Sequence, residues 1–293
     1  LLRYNRTISN YKMNTVSVVI PTYNRINSIS RAIDSVLKQT HPINQIIVVD
    51  NNSTDNTSEI LKKKYSKIEI LVEQKQGVSF ARNKGIKYSN SDWVALLDSD
   101  DSWKPKKIEK QLSLYEKSKK KLRVIHTDEI WYKNNKLFNQ KKIHKKSGGD
   151  IFDKCLDLCC ISPSSALLRS DLFKDIGYFD ESFPACEDYD FWLRVTAREK
   201  VLFLDEPLTI KYGGHDDQLS KKYWGMDRFR VKALEKLILN HKLNSKQKKA
   251  AIKSLTSKLE IIVNGAKKRN NQNIEKIFQK KINEWKLYIM ENK

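Results

Sequence analysis

No apolar run in this 293-residue sequence approaches the roughly 20 residues that a helix needs to span a bilayer. The sequence also shows no charged, then apolar, then small-residue leader of the kind that directs secretion. We therefore expect a cytoplasmic protein. Residues 1–12 are polar and without pattern, and Met13 directly precedes the first strand-like run. We interpret residues 1–12 as an extension outside the folded core.

Cysteine is scarce, and its placement argues against a zinc site. Three of the four cysteines cluster, but there is no Cys-x-x-Cys pair and no nearby pair of histidines. Buried free thiols in a reducing cytoplasm are the simplest interpretation. The residues are Cys155, Cys159, Cys160 and Cys186.

Acidic residues are few near the carboxyl end, so the net charge of +21 is unevenly distributed. Residues 220–293 contain 17 lysines and 3 arginines against 6 acids, whereas residues 13–219 have a net charge of only +4. A basic tail favours nucleic acid or an anionic membrane surface, and it equally suits a solvated, lysine-rich helical face. We expect a main domain over residues 13–219, with a late strand at residues 201–204. We expect a helical extension over residues 220–293, interrupted near Asn244 and again around residues 264–265.

Short apolar runs alternate with helical spacing through the first hundred residues. This alternation predicts an α/β fold with a parallel, doubly wound sheet. The first turn between strand and helix lacks Gly-x-Gly-x-x-Gly, which disfavours an ordinary dinucleotide-binding fold. The predicted strands cover residues 16–20, 45–49, 68–72 and 93–97, and the predicted helices cover residues 27–39, 56–64 and 80–88.

Three carboxylates directly follow the fourth predicted strand, at Asp98, Asp100 and Asp101. Ligands bind at the carboxyl ends of strands in open α/β sheets, and Asp50 ends the second strand on the same edge. Crowded acids need a positive partner, and a hard divalent cation shared with substrate phosphates meets that need. The alternative is that Asp101 or Ser102 caps a helix beginning near Pro105.

Five ordered motifs resemble the family 2 glycosyltransferases, which are inverting enzymes with the GT-A fold. The resemblance extends from residue 16 to about residue 215. It implies a mostly parallel central sheet flanked by helices. It also implies metal-dependent transfer of a sugar from a nucleotide sugar, with a UDP-sugar as the expected donor, to a hydroxyl of a glycan or lipid-linked acceptor. The motifs are VSVVIPTYNR (16–25), IIVVDNNSTD (46–55), GVSFARNKG (77–85), LLDSDDSWKPKK (96–107) and EDYDFWLR (187–194).

The resemblance assigns a metal and diphosphate role to the run Asp98-Ser99-Asp100, which looks like the family's Asp-x-Asp motif. It implies that Asp100 coordinates Mn²⁺ or Mg²⁺ and that Asp98 contacts the metal or the ribose, with Ser99 beside the donor. A metal on the departing diphosphate stabilises its developing charge as a Lewis acid. His215 follows two glycines after the last strand and resembles a further metal or diphosphate ligand; the alternative is a histidine with a structural role.

The resemblance also implies a nucleotide pocket on the first two strand ends. Asp50 and Asn51 match the position where family members often have two acids that hold the base, although Asn51 accepts without charge. The alternative for this pair is an Asx-turn that caps the next helix. The remaining donor-binding residues implied by the resemblance are Pro21, Tyr23, Arg25 and Arg82, of which Arg82 also suits an ordinary surface position.

Asp188 matches the second acid of the family's Glu-Asp pair and is thereby implied to be the general base, with Glu187 orienting the acceptor. Inversion needs one group to take the acceptor's hydroxyl proton. The amino end of a helix favours the ionised carboxylate. Helix capping alone would also explain an acid here, and Asp190 is a rival base that points elsewhere on the same helix.

Two functions from other classes compete with glycosyl transfer. Net charge alone suggests a nucleic-acid-binding protein, but no recognition module or interleaved basic and aromatic motif supports it. A catalytically degenerate glycan-binding module is the other, and the intact Asp98, Asp100 and Asp188 argue against it. For the transferase, the basic tail would help the enzyme to visit an anionic membrane that holds the acceptor.

Overall fold

A nine-stranded mixed sheet forms the centre of the protein, in a computed structural model that describes residues 14–119, 121–214 and 222–291. The strand order is β3-β2-β1-β4-β8-β6-β9-β5, with β7 paired to β6. Only β5, β7 and β8 run against the common direction, so the expected mostly parallel sheet is confirmed. The strands are β1 (Val16–Thr22), β2 (Gln45–Asp50), β3 (Glu69–Val72), β4 (Trp93–Leu96), β5 (Ser102–Trp103), β6 (Val124–Lys133), β7 (Lys136–Phe138), β8 (Leu167–Arg169) and β9 (Leu202–Gly213).

Helices cover both faces of the sheet. Short 3₁₀ turns at Lys142–His144 and Pro163–Ser165 interrupt the second half of the chain. No helix in the described ranges is both long and apolar enough to cross a membrane. The helices are α1 (Ile29–Leu37), α2 (Thr57–Lys64), α3 (Val78–Tyr88), α4 (Lys107–Lys117), α5 (Phe152–Asp157), α6 (Leu172–Ile176), α7 (Glu187–Thr196), α8 (Asp227–Asn240), α9 (Ser245–Lys268) and α10 (Gln272–Glu291).

The continuous apolar runs of β1 and β2 arise because both faces of these strands are buried. Successive side chains of a strand point to opposite faces, so Val18 and Val48 join one core with α1 and α4. Val19 and Val49 join the other core with α3, α7 and the carboxyl-terminal helices. Every residue of β1 is buried.

Gly85 brings α3 directly onto the sheet. A Cβ atom at this position would lie 2.4 Å from the Cγ1 atom of Val19, so only glycine permits the contact. Arg82 lies one turn earlier on the same helical face and is buried with it. The close packing of α3 therefore fixes where the Arg82 side chain reaches the sheet edge.

The carboxyl-terminal helices share the second core rather than forming a core of their own. Leu234 of α8 and Leu255 of α9 belong to the same hydrophobic cluster as Trp192 of α7. The predicted helix break at residues 264–265 is wrong, because Ile262 and Ala266 bury one face of α9 across it. The helical structure is interrupted instead at residues 269–271, between α9 and α10. The predicted domain boundary falls within residues 215–221, which the structure does not describe.

A short strand replaces the predicted start of the helix near Pro105. Ser102 pairs with Ile210 in β5 and β9, so α4 begins only at Lys107 and Asp101 does not cap it. Pairing across the sheet outweighs the local tendency of the acids to cap a helix. The last strand also runs far past the predicted residues 201–204, to Gly213, which brings Lys211 to the acidic edge.

Candidate active site

The acidic run directly follows β4, at the edge where β1 and β2 also end. Val19 of β1 lies opposite Leu96 of β4, and Thr22 lies opposite Asp50 of β2. The backbone N–H of Asn51 donates to the carbonyl of Thr22 at 2.8 Å. The structure thus brings the predicted donor-binding segments to one edge of the sheet.

Arg82 connects the acidic run after β4 to the first turn of α7. One terminal nitrogen donates to Asp98 Oδ1 at 2.7 Å, and the other donates to Glu187 Oε1 at 2.6 Å. The side chain is almost fully buried, and its Nε atom has no hydrogen-bond partner. Although burial opposes a charge here, the carboxylates of Asp98 and Glu187 raise the pKa of Arg82 further, so the guanidinium stays charged.

The carboxylates of Asp98 and Asp100 differ in their surroundings. Burial tends to raise the pKa of Asp98, but Arg82 and Lys211 lower it overall. Burial and the neighbouring Asp98 charge raise the pKa of Asp100, against the weaker attraction of Lys211 and Arg25. A cation bound between Asp98 and Asp100 would stabilise the ionised form of Asp100, which burial and the neighbouring charge disfavour.

The oxygen-only chemistry of Asp98 and Asp100 fits a hard divalent cation. Within the described ranges, no group of three or more His, Cys, Asp or Glu side chains is arranged to hold a metal. Mg²⁺ commonly binds through one or two carboxylates and completes its coordination with substrate phosphates and water. Two carboxylates together with the phosphates of a substrate would therefore suffice for such an ion. The predicted ligand His215 lies outside the described residues.

Lys211 is a residue of the acidic edge that sequence reasoning missed. Its ammonium lies 3.7 Å from Asp101 Oδ2. Although burial opposes its charge, the carboxylates of Asp101, Glu129, Asp98 and Asp100 raise the pKa of Lys211 and keep it protonated. The only signal in the sequence is one lysine between Ile210 and Tyr212 of a strand.

Asp101 is a buried structural acid behind the half-buried carboxylates of Asp98 and Asp100. It accepts hydrogen bonds from the Ser164 hydroxyl at 2.6 Å and from the backbone N–H of Tyr212 at 3.3 Å. The same Ser164 hydroxyl accepts from the backbone N–H of Asp98 at 3.1 Å. Burial tends to raise the pKa of Asp101, and the charge of Lys211 opposes that rise. Asp101 therefore fastens the acidic run to the Pro163–Ser165 turn.

Asp50 and Asn51 are both buried and both organise the loops around them. Asp50 accepts from the backbone N–H of Ser53 at 2.9 Å and from the Ser58 hydroxyl. Asn51 donates its amide hydrogens to the carbonyls of Glu73 and Lys75 and accepts from the backbone N–H of Gly77. The side-chain oxygen of Asn51 retains one lone pair, so its predicted contact with the nucleotide base stays a prediction.

The other predicted donor-binding residues lie around the same strand ends. Pro21 is buried within β1, and Tyr23 directly after the strand is 47% exposed. Arg25 is half-buried and close enough to Asp100 to lower the pKa of that carboxyl. Ser99 is buried between Asp98 and Asp100.

The Glu-Asp pair opens α7 opposite the acidic run. Cys186 caps the helix from the preceding position in a left-handed conformation, with φ 60°, so Glu187 and Asp188 occupy the first turn of α7. Asp188 is half-buried and accepts from the Cys159 thiol at 3.2 Å and from the backbone N–H of Tyr189 at 2.7 Å. Burial and the Asp188 charge raise the pKa of Cys159 well above its usual value, so the thiol stays a donor.

Asp190 faces away from the acidic run and is neutralised. Its Oδ2 atom lies 2.9 Å from Arg194, and its Oδ1 atom lies 2.9 Å from Lys236 of α8. Its side chain is only 2% exposed. Both carboxylate oxygens of Asp190 already contact cations and the side chain is closed to solvent, so an acceptor hydroxyl has no access to it, which disfavours the rival base.

The protonation of Glu187 gives a prediction about stability. Burial and Asp188 raise its pKa from 4.5 to about 6, against the attraction of Arg82. The stabilisation from its raised pKa is fully present below pH 4.5 and is lost as the pH rises through about 6. Between pH 4 and 7 the wild type should lose about 2 kcal/mol of unfolding free energy that Glu187→Gln retains.

Urea denaturation of both proteins at several pH values measures this difference. At each pH, the unfolding free energy of Glu187→Gln is subtracted from that of the wild type. The contributions of titrating groups that both proteins share cancel in this difference, so its change with pH reports on Glu187. A difference that stays constant from pH 4 to 7 would contradict the raised pKa of Glu187.

Comparison with known proteins agrees with this architecture. The family model described as "Glycosyl transferase family 2" matches residues 17–177. A protein of Escherichia coli named UDP-Glc:alpha-D-GlcNAc-diphosphoundecaprenol beta-1,3-glucosyltransferase WfgD is 32% identical over 191 residues, which cover 64% of this chain and 71% of that protein. An uncharacterized glycosyltransferase of Rickettsia bellii is 33% identical over 208 residues; the match covers 70% of this chain but only 28% of the relative's length.

Solved structures of glycosyltransferases share the fold. TarS residues 1–349 of S. aureus, in complex with UDP-GlcNAc, match with a TM-score of 0.66 at 22% identity, over 84% of this chain and 71% of that chain. The mannosyltransferase PcManGT of Pyrobaculum calidifontis, in complex with GDP-Man and Mn²⁺, matches with a TM-score of 0.61 at 14% identity, over 95% of this chain and 86% of that chain.

Proposed function

The chain belongs to glycosyl transferase family 2 and is a glycosyltransferase, and we propose that it is a metal-dependent inverting enzyme with Asp188 as general base. The proposed donor is a UDP-sugar, and the proposed acceptor is a hydroxyl of a glycan or lipid-linked glycan. One observation supports this most: buried Arg82 ties Asp98 of the acidic run to Glu187, the neighbour of Asp188. The groups proposed for the donor and for the acceptor therefore have one fixed spacing.

The proposed donor side consists of the acidic run and the two strand ends beside it. Asp98 and Asp100 would hold Mn²⁺ or Mg²⁺, which would stabilise the negative charge of the departing nucleoside diphosphate. Arg82 keeps Asp98 ionised and in place, and Lys211 neutralises part of the acidic charge. The remaining proposed donor contacts are Pro21, Tyr23, Arg25, Asp50, Asn51 and Ser99, with His215 as a further metal ligand.

The proposed chemistry on the acceptor side is a single displacement. The acceptor's oxygen attacks the anomeric carbon from the face opposite the leaving group. Asp188 takes the hydroxyl proton, and the electron pair of the breaking bond goes to the diphosphate oxygen. The Cys159 thiol and the amino end of α7 stabilise the carboxylate before it accepts the proton. Glu187, held by Arg82, would orient the acceptor.

Names of related proteins support the substrate classes. The E. coli relative is named for UDP-Glc as donor and for a diphosphoundecaprenol-linked acceptor, and the TarS structure contains UDP-GlcNAc. A lipid-linked acceptor would bring this enzyme to a membrane surface. We accordingly propose a cytoplasmic enzyme of polysaccharide assembly in peripheral contact with an anionic membrane. In this proposal residues 13–219 form the transferase unit and residues 220–293 a helical extension.

Asp100→Ala tests the metal assignment directly. Removing this carboxylate should lower the Mn²⁺-dependent affinity for UDP at least about tenfold, because a metal ligand is lost while Arg82 still holds Asp98. Isothermal titration calorimetry of UDP, with GDP alongside, measures the affinity with and without Mn²⁺.

The control for Asp100→Ala is Asp205→Ala, at an exposed carboxylate of β9. Asp205→Ala should bind UDP with Mn²⁺ as the wild type does. Equal enhancement of UDP affinity by Mn²⁺ in the wild type and in Asp100→Ala would remove Asp100 from the metal site.

A further inference from the structure

The hairpin of β6 and β7 presents exposed apolar side chains next to lysines. Asn134 and Asn135 form its turn with φ values of 50° and 61°, which the left-handed tendency of asparagine permits. Leu137 and Ile143 are each 65% exposed, and Phe138 is 40% exposed. Large apolar residues so exposed and so close in sequence are typical of an interaction surface.

The charge around these apolar residues has one sign only. Residues 130–149 contain six lysines and no acid. Lys146 is buried against Glu129, at 3.2 Å, and the other five lysines are exposed. We call the exposed set the hairpin patch; it consists of Lys133, Lys136, Leu137, Phe138, Lys141, Lys142, Ile143 and Lys145.

Trp131 of β6, which lies beneath the hairpin patch, is held in place by two ring contacts and a hydrogen bond. The Trp131 ring stacks on Phe138 with 6.4 Å between ring centroids and also lies 5.2 Å from the His144 ring. The Trp131 indole N–H donates to Glu129 Oε2 at 2.7 Å. The patch therefore presents its apolar side chains without having to order the strand beneath them, which lowers the entropic cost of binding.

We propose that the hairpin patch is the surface by which this enzyme contacts an anionic lipid bilayer. Lysines attract anionic headgroups, while leucine, isoleucine and phenylalanine enter the boundary between headgroups and acyl chains. A soluble polyanion would match the lysines but would leave the apolar side chains in water. The proposal rests on the membrane contact included in the proposed function, and it assigns that contact to the hairpin rather than to the basic carboxyl-terminal helices.

The hairpin patch lies on the strands that lead to the acidic edge. Trp131 is directly opposite Lys211 in the pairing of β6 with β9, and Lys211 faces Asp101. Tyr132 stacks on Tyr212 with 5.6 Å between centroids, and the Arg31 guanidinium lies 3.7 Å above the Tyr212 ring. A bilayer that contacts the hairpin would therefore lie near the acidic edge, where a lipid-linked acceptor is needed.

Vesicle sedimentation of the full chain tests the assignment without donor or acceptor. The wild type should sediment with phosphatidylcholine vesicles that contain phosphatidylglycerol and not with phosphatidylcholine alone. Lys141→Glu/Lys142→Glu should lower the partition coefficient by more than about 25-fold, since each lysine near an anionic surface contributes about fivefold. The matched control is Lys249→Glu/Lys253→Glu on α9, which changes the same charge at two exposed positions and should stay within about threefold of wild type.

The apolar part of the hairpin patch has its own variant. Leu137→Ser/Ile143→Ser should lower vesicle binding at least about tenfold, and Ile277→Ser/Leu287→Ser on α10 is the matched control at exposed positions. Wild-type vesicle binding by Leu137→Ser/Ile143→Ser would overturn the proposal, because a soluble polyanion would then suit the patch equally.

The remaining outcomes separate this inference from the function proposed above. Equal or larger losses in the α9 variant would move the contact to the carboxyl-terminal helices and overturn the hairpin assignment alone. If the wild type does not sediment with anionic vesicles, the proposed membrane contact is overturned as well. UDP affinity, measured in parallel, should be unchanged in all four variants, so a failed donor site would be recognised separately.

Discussion

Asp188→Asn is expected to lower glycosyl transfer about 1,000-fold while leaving donor affinity within about twofold of wild type. Asparagine keeps the shape of the side chain but cannot take a proton from the acceptor hydroxyl. It also keeps an oxygen that can accept from the Cys159 thiol, so the start of α7 should stay in place. The loss should therefore fall on the chemical step rather than on folding or donor binding.

Two measurements on Asp188→Asn separate the base from the donor site. Calorimetry with UDP and Mn²⁺ gives donor affinity, and release of UDP from a bound UDP-sugar gives turnover, with a lipid-linked acceptor or with water. Asp205→Asn serves as the control at an exposed carboxylate. Wild-type turnover in Asp188→Asn would move the base to Glu187, whose raised pKa of about 6 makes it the next candidate.

The first half of the fold could be predicted from sequence because its signals are local. The apolar runs before Asp50 and Asp98 are strands buried on both faces, and they are recognisable without knowing their neighbours. The edge at which Asp50 and Asp98 meet follows from the parallel order of these strands. Alternating strands and helices therefore sufficed to predict the sheet and its acidic edge.

The contacts that complete the site could not be predicted, because they join residues far apart in sequence. Arg82 meets Glu187 across 105 positions, and Lys211 reaches Asp101 from a strand whose second half lacked a clear pattern. At Gly265 the local signal was misleading, because glycine predicted a break in a helix that is continuous in the structure. Burial of the neighbouring Ile262 and Ala266 outweighs the cost of one glycine in the helix.

Arg82→Met is expected to lower the unfolding free energy by about 3 kcal/mol and to abolish donor binding. The substitution leaves Asp98 and Glu187 without the cation that both contact, and an uncompensated buried charge is strongly destabilising. Arg82→Lys should recover little, because a single ammonium cannot donate to both carboxylates in the geometry of the guanidinium fork. The bridge between donor and acceptor halves would be lost in both variants.

Urea denaturation at pH 7 tests this bridge, with Arg169→Met as the control. Arg169 pairs with Asp171 at 3.1 Å on the surface, with the two side chains 30% and 46% exposed, so its loss should cost less than about 1 kcal/mol. Adding Glu187→Gln to Arg82→Met should recover part of the stability, since one of the two unpaired charges disappears. If Arg82→Met were as stable as Arg169→Met, the buried bridge would not hold the two halves together. The proposed coupling between the donor site and the base would then fail with it.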